Sequence, residues 1–274
     1  MDTFQKQPPF ISSPANPRLK EIVRLRHRSH RDEAGVMIVE GFRELRRALD
    51  GGVKPTQVFF CPELYADAAA PALAEECRQA GAQLIQCSRA AFEKIAYGDR
   101  LEGLLAVAPQ MRLRLEDIRL KPDAIVVVAE AVEKPGNLGA ILRSADATGV
   151  SAVIACDRGT DAYNPNVIRA STGMIFAVPV VEAGTSEVLA WLDRNEFRII
   201  AATPRAPTVY TDADMRGNVA IVVGTEHEGL SRAWMERADL AVRIPMLGKA
   251  DSLNVAAATT LLLYEAIRQR GLGR

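Results

Sequence analysis

Six short apolar runs in the second half of the chain restrict its fold more than any other feature. They are Ala124 to Ala129, Ala152 to Cys156, Val178 to Val181, Arg198 to Ala202, Val219 to Val223 and Leu240 to Ile244. These runs are rich in β-branched residues, and stretches with helical spacing lie between most of them. A strand with one wet face alternates apolar and polar residues, whereas a strand buried on both faces is apolar almost throughout. Continuous apolar strands joined by helices therefore predict a mostly parallel sheet covered on both sides.

The first half predicts a smaller α/β sandwich. Leu19, Ile22 and Val23 recur at three- and four-residue spacing, which predicts a helix from Pro17 to Ser29. A strand from Gly35 to Glu40 follows, then a helix from Gly41 to Asp50 stopped by Gly51 and Gly52. The alternation continues with strands at Gln57 to Phe60, Gln83 to Gln86 and Gly103 to Ala108, and helices at Asp67 to Ala80 and Arg89 to Ala96. Pro109 to Lys121 is charged and lacks a strong period. At 274 residues the chain also exceeds the usual single domain of about 100 to 200 residues. The expected boundaries are a first domain at 1–110, a linker at 111–121 and a second domain at 122–274.

No uninterrupted apolar run approaches the roughly 20 residues of a membrane span. Met1-Asp-Thr-Phe-Gln-Lys-Gln7 lacks the charged-then-apolar order of a secretion signal. No membrane association and a cytoplasmic location are expected. Cys61, Cys77, Cys87 and Cys156 show no C-x-x-C spacing and are read as buried thiols, with no metal site expected. Lys plus Arg and Asp plus Glu balance at 34 each, so a charged partner has to be sought in the distribution. Arg18, Lys20, Arg24, Arg26, Arg28 and Arg31 lie with His27 and His30 against one acid, Glu21, before Asp32. This run is either a solvated helix face or a phosphate-facing surface.

Three segments of the second half place small or polar residues where a strand gives way to a turn or helix. In Glu133-Lys-Pro-Gly-Asn-Leu-Gly-Ala-Ile-Leu-Arg143, Asn137 is available as a helix N-cap, and Arg143 shares its helix side with Gly136, Gly139, Ala140 and Ala147. In Ile221-Val-Val-Gly-Thr-Glu-His-Glu-Gly-Leu230, glycines on both sides of the acids suggest backbone passing close to a ligand, with Glu226 aimed at it and His227 read as structural or exposed rather than catalytic. In Ile244-Pro-Met-Leu-Gly-Lys-Ala-Asp-Ser-Leu-Asn-Val255, Ser252 to Asn254 start a helix, with Ser252 as its cap and free amides able to receive an anion. The glycine spacing matches neither a dinucleotide fingerprint nor a phosphate loop, which removes the main support for hydride transfer and for ATP hydrolysis.

In this order and at these separations, the segments resemble the three motifs of the SpoU (TrmH-like) family of RNA ribose 2′-O-methyltransferases, in the SPOUT superfamily, over about Ala124 to Gln269. Ser13-Pro-Ala-Asn-Pro-Arg-Leu-Lys20, the basic helix, and Val39-Glu-Gly-Phe-Arg-Glu-Leu45 resemble the substrate-binding extension common in that family, over roughly residues 10 to 108.

The resemblance implies an L30e-like α/β substrate-binding domain, followed by a mostly parallel α/β domain whose C-terminal part threads a trefoil knot. It also implies S-adenosylmethionine bound in the knot, a homodimer, and structured RNA as substrate, with ribosomal RNA favoured and tRNA open. Residue by residue, Asn137 and Arg143 match the first motif's polar pair, Glu226 the second motif's acid, and Ser252 and Asn254 the third motif's polar residues. Thr203, Gly224, Ile244, Met246 and Leu253 match the cofactor pocket, and Arg169 in Ile168-Arg-Ala-Ser-Thr-Gly173 matches an element near the reaction site. Together with Arg169, Arg18, Lys20, Arg24 and Arg28 are the cations expected to meet RNA. By this resemblance Arg143 positions the ribose 2′-hydroxyl and its neighbouring phosphate, or takes the hydroxyl proton, and no metal is required. Two positions depart from the family pattern. Lys134 stands where Asn or Asp often precedes the proline, and Ala256 stands where a serine usually follows Asn-Val. Two other readings stay open on the sequence: methylation of a base nitrogen by a related knotted fold, and an RNA-binding protein without catalysis.

Overall fold

The computed structural model describes residues 7–98, 101–157, 159–225 and 228–271. The chain divides into two units. One takes the residues up to Met111 together with Tyr163–Phe176; the other takes Arg112–Ala162 and the chain from Ala177 onward.

In the first unit the elements run β1 (Phe10–Ile11), α1 (Pro17–Arg24), α2 (Arg28–Ala34), β2 (Val36–Glu40), α3 (Phe42–Asp50), β3 (Gln57–Phe60), α4 (Ala70–Gln79), β4 (Gln83–Cys87), α5 (Arg89–Ile95) and β5 (Leu104–Pro109). Among the described residues the sheet has five strands in the order β1-β4-β3-β5-β2. It is mixed: β5 runs antiparallel to β3 and β2, and the other pairs are parallel. Leu19, Ile22, Phe59, Ile85, Phe92 and Leu105 share one core.

The single helix expected from Pro17 to Ser29 is two helices. α1 ends at Arg24, and His27 is extended (φ −89°, ψ 133°) before α2 begins. Carbonyls at a helix end need partners from outside the helix, and here two arginines supply them. Arg31 is only 1% exposed, and its Nη1 donates to the carbonyls of Leu25 at 2.6 Å and Arg26 at 2.9 Å. Arg26 Nη2 donates to the carbonyls of Lys94 at 3.1 Å and Ala96 at 2.7 Å, at the end of α5. Two cations of the basic run therefore brace the fold and do not face outward.

The second unit runs β6 (Ile125–Glu130), α6 (Pro135–Thr148) and β7 (Ala152–Cys156). After α7 (Pro165–Ala170), which packs on β2 in the first unit, come β8 (Val180–Ala183), α8 (Thr185–Arg194), β9 (Arg198–Ala202), β10 (Thr208–Val209), β11 (Val219–Val223), α9 (Arg232–Arg237), β12 (Leu240–Arg243) and α10 (Val255–Gln269). Among the described residues its sheet has seven strands, all parallel, in the order β10-β12-β9-β11-β6-β7-β8. β10 is the strand the pattern did not predict, because two residues are too few to show one. Val126, Val128, Ile154, Ile199, Val222 and Trp234 form the core on one face, where Trp191 stacks on Phe197 with ring centroids 5.4 Å apart. Fully burying a Val or Ile side chain contributes about 1.5–3 kcal/mol. Leu115 and Ile118, in the segment expected to be a linker, are buried in this same core.

No described helix is long and apolar enough to cross a membrane. All four cysteines are buried and unpaired. Among the described residues no cluster of three His, Cys, Asp or Glu side chains could hold a metal. The central pair of strands positions the site: β6 lies in register beside β11, with Ala129 opposite Val223. From β6 the chain moves on to β7 at one side, and from β11 it moves to β12 at the other. A parallel sheet opens a crevice at the carboxyl ends of its strands where the connections part in this way.

Candidate active site

The chain after β6 enters α6 through Lys134, which occupies the N-cap position with extended backbone and no side-chain capping bond, and Pro135 stands in the first turn. Asn137 is therefore inside the first turn and is not the cap that the spacing suggested. Proline suits this place because its missing N–H has no partner at a helix start. Freed from capping, the Asn137 side chain turns to α10: its Oδ1 accepts from Asn254 Nδ2 at 3.0 Å. Asn254, and not Ser252, caps α10, and its Oδ1 accepts from the Ala256 amide at 3.0 Å. One asparagine thus caps a helix with its oxygen and holds the neighbouring helix with its nitrogen. Further along, Ser144 and Thr260 hydroxyls meet at 2.6 Å and join the same two helices again.

The loop after β11 folds back on itself. Thr225 and Gly229 exchange backbone hydrogen bonds of 3.1 and 3.2 Å, and the Glu228 amide donates to Thr225 Oγ1 at 2.9 Å. A Cβ at Gly224 would lie 2.3 Å from the Gly229 carbonyl oxygen and 2.7 Å from the Leu230 nitrogen, so only glycine fits there. The close approach that requires this glycine is to the chain's own backbone. Glu226 and His227 lie outside the described residues.

Between these elements is a cavity of about 220 Å³. Val132, Glu133, Lys134 and Asn137 form one wall, Gly224, Thr225 and Glu228 the other, and Val255 at the start of α10 closes it. All three predicted segments meet here. The first wall is braced from β7's side of the sheet: the Thr160 amide and hydroxyl both donate to the Val132 carbonyl, at 2.7 and 2.5 Å.

Arg143 is exposed on α6 and makes no hydrogen bond or ion pair with a described residue. A cation with no partner among the described residues is available to an external phosphate or hydroxyl. Ser252 is likewise exposed. Of the five expected cofactor residues, Gly224 lines the cavity. Thr203 follows β9, and Ile244 and Met246 follow β12, so these positions cluster at the carboxyl ends of neighbouring strands. The Thr203 amide donates to the Val242 carbonyl at 2.9 Å, while Leu253, before α10, keeps 37% of its surface exposed.

Residues 124–264, just over half the chain, match the SpoU rRNA Methylase family. The chain belongs to that family. Residues 16–106 of this SpoU chain match the MRM3-like substrate binding domain. It is 32% identical over 262 residues to a 23S rRNA (uridine(2479)-2′-O)-methyltransferase of Streptomyces viridochromogenes, covering 91% of this chain and 88% of that protein. A crystal structure of an RNA 2′-O ribose methyltransferase is 45% identical and superposes with a TM-score of 0.83, covering 96% of this chain and all of that one. The AdoMet-bound rRNA methyltransferase from Sinorhizobium meliloti is 29% identical, with a TM-score of 0.87 over 96% of this chain and 98% of that one.

In the first unit of the SpoU chain, the expected RNA-facing cations are unequal. Lys20 is exposed, and exposed Arg18 makes only a 3.4 Å contact with Gln83 Oε1. Arg24 pairs with Glu21 at 3.3 Å and Arg28 with Asp32 at 3.2 Å. Arg169, on α7, is half-buried: its guanidinium covers Gly98, where a Cβ would lie 1.6 Å from Nη1. It also acts on buried Glu40, whose carboxyl is pushed above its ordinary value chiefly by burial, against the pull of the Tyr97 amide and of Arg169.

The sequence reading missed Val132, which lines the cavity, and two residues that brace its surroundings. Thr160 is one. Glu130 is the other: at the end of β6 it is 4% exposed, and its Oε2 accepts from the Ser231 amide at 2.8 Å. A signal for it existed, since a carboxylate ending an otherwise apolar buried strand needs a partner.

Proposed function

We propose that this chain is an S-adenosylmethionine-dependent methyltransferase that acts on a ribose 2′-hydroxyl of ribosomal RNA. The observation that carries the reading is the hydrogen bond joining Asn137 of the first motif to Asn254 of the third, beside a cavity at the carboxyl ends of β6 and β11. Membership of the SpoU family and similarity to proteins named for this activity support it.

The residues present fit the cofactor. Glu133 and Glu228 line the cavity and complement a sulfonium cation, while half-buried Ile244 and Met246, after β12 and outside that lining, offer apolar surface to an adenine. When bound, S-adenosylmethionine supplies an electrophilic methyl group. The chain's own task is orientation. Arg143 holds the 2′-hydroxyl and the adjacent phosphate in line, and alignment alone is worth several kcal/mol of barrier, at most about 7–11. Asn137 and Asn254 fix the helix starts that frame the nucleotide, Ser252 adds a hydroxyl at the rim, and Glu226 is assigned to orienting the Arg143 guanidinium. Arg143 offers that hydroxyl and phosphate a planar fork of N–H donors.

The same reading divides the chain into an L30e-like RNA-gripping domain at 1–110 and a catalytic domain at 122–274. Exposed Arg18 and Lys20 support the first assignment. It includes a trefoil knot, supported by the return of α10 from beyond β12 to pack on α6. It includes a homodimer, supported by an apolar stripe on and before α10, where Leu253, Leu261 and Tyr264 are 37%, 39% and 52% exposed and Ala257 lies between them. A stripe of this kind marks a surface that a second copy would cover. An rRNA substrate makes the cytoplasm the place of action.

The test is calorimetric binding of S-adenosylmethionine, followed by transfer of labelled methyl to total RNA and mapping of 2′-O-methyl positions. A new mark on rRNA is the expected result. A mark on tRNA would move the substrate, and methylation of a base nitrogen would overturn the reading.

A further inference from the structure

Resting on the methyltransferase reading, we propose that Glu130 is a positioning residue of the reaction. It sets the cavity wall formed by Thr225 and Glu228 against the wall formed by Lys134 and Asn137.

The geometry is specific. β6 leads directly into Ala131 to Lys134, so Glu130 stands at the root of the first wall. The second wall belongs to the loop from Gly224 to Ser231. Its near end is held by β11 and by the packing of Gly224 on the backbone of Gly229 and Leu230. Its far end is Ser231, which precedes α9 and makes no side-chain capping bond of its own. There the Glu130 carboxylate takes the Ser231 amide at 2.8 Å, across 101 residues of sequence. One side chain at the end of one strand therefore ties down the far end of the loop that leaves its neighbour. A buried polar side chain is costly unless it is hydrogen-bonded, and here an acceptor oxygen is held at the reach of the Ser231 amide. An apolar residue would cover the strand end without that cost, so packing alone does not account for an acid here.

The experiment compares steady-state transfer to rRNA by the full chain, by Glu130→Gln and by Glu130→Asp. Gln keeps an acceptor oxygen at the same reach; Asp keeps the carboxyl group but withdraws it by one methylene. Expected is a kcat within about threefold of the parent for Gln. Asp should lose about 10- to 100-fold in kcat, the scale of an ångström-sized misplacement, with the KM for RNA within about twofold. Amide exchange at Ser231 should quicken in the Asp variant alone, with both melting temperatures close to the parent's. Parent-like kcat in Glu130→Asp would overturn the proposal, as would equal losses in both variants. If the parent protein transfers no methyl group to ribose, the methyltransferase reading fails before any variant is compared, and this proposal fails with it.

Discussion

Asn254 donates its side-chain amide to Asn137 across 3.0 Å, although 117 residues separate the two. The same Asn254 side chain caps α10 through its oxygen. The bond places the starts of α6 and α10 at one cavity, and it divides the work of Asn254 into two parts that substitution can separate.

Asn254→Ser keeps a capping oxygen but is too short to reach Asn137, whereas Asn254→Ala loses both roles. Loss of an N-cap costs about 1 kcal/mol, so thermal unfolding should place Ser near the parent and Ala below it. Methyl transfer should fall about tenfold or more in both, because helix-start alignment is lost in both. Parent-like turnover in Asn254→Ser would mean the inter-helix bond is irrelevant to function.

Arg143 has no partner among the described residues, so Arg143→Ala should change stability by no more than about 0.5 kcal/mol. Removing a donor aimed at developing charge typically costs about 10²–10³ in kcat. The expected result is transfer reduced on that scale with cofactor affinity retained, measured by single-turnover kinetics and calorimetry. Arg143→Lys should remain impaired, because a lysine cannot reproduce the two-pronged guanidinium contact.

The cations of the first unit should separate into two groups. Lys20→Ala and Arg18→Ala are expected to weaken RNA binding and to lower the slope of log affinity against log salt by about one each, as for lost phosphate contacts. Arg31→Ala should instead destabilise the fold by about 1–3 kcal/mol, since it leaves the half-buried carbonyls of Leu25 and Arg26 without this donor. Filter binding across a salt series, beside urea unfolding, reads both effects.

Glu40 provides a pH prediction. Its carboxyl is raised above its ordinary value in the fold, mainly by burial, against the pull of the Tyr97 amide, which donates to its Oε2 at 2.8 Å. A carboxyl raised in the fold holds its proton longer than it does in the unfolded chain. Stability is then fully present below the unfolded value and is lost as pH rises through the folded one. Glu40→Gln cannot ionise, so its stability relative to the parent should increase as pH rises through the raised value. Urea midpoints taken from about pH 4 to pH 8 would show this, and a difference independent of pH would refute it.

Where the signal is local, sequence and structure agree closely. The runs Ala152 to Cys156, Arg198 to Ala202 and Val219 to Val223 are strands over those same residues, because burial on both faces leaves a continuous apolar run. Helix starts were less legible. Ser252 and Asn254 are both good caps, as is Asn137, and the choice depends on where the backbone turns, which places Asn254 and Lys134 at the caps. Arg26 and Arg31 looked like surface charge because nothing in their neighbourhood reveals the carbonyls they cap.

By itself the sequence determined the parallel α/β class and the three polar segments at strand ends, since residue type and spacing express burial and turn chemistry locally. Only the tertiary structure decided that β6 lies beside β11, that Glu130 reaches Ser231 and that Asn254 meets Asn137. Those pairings depend on how crossover connections return distant strands to one sheet, and no short stretch of chain carries that information.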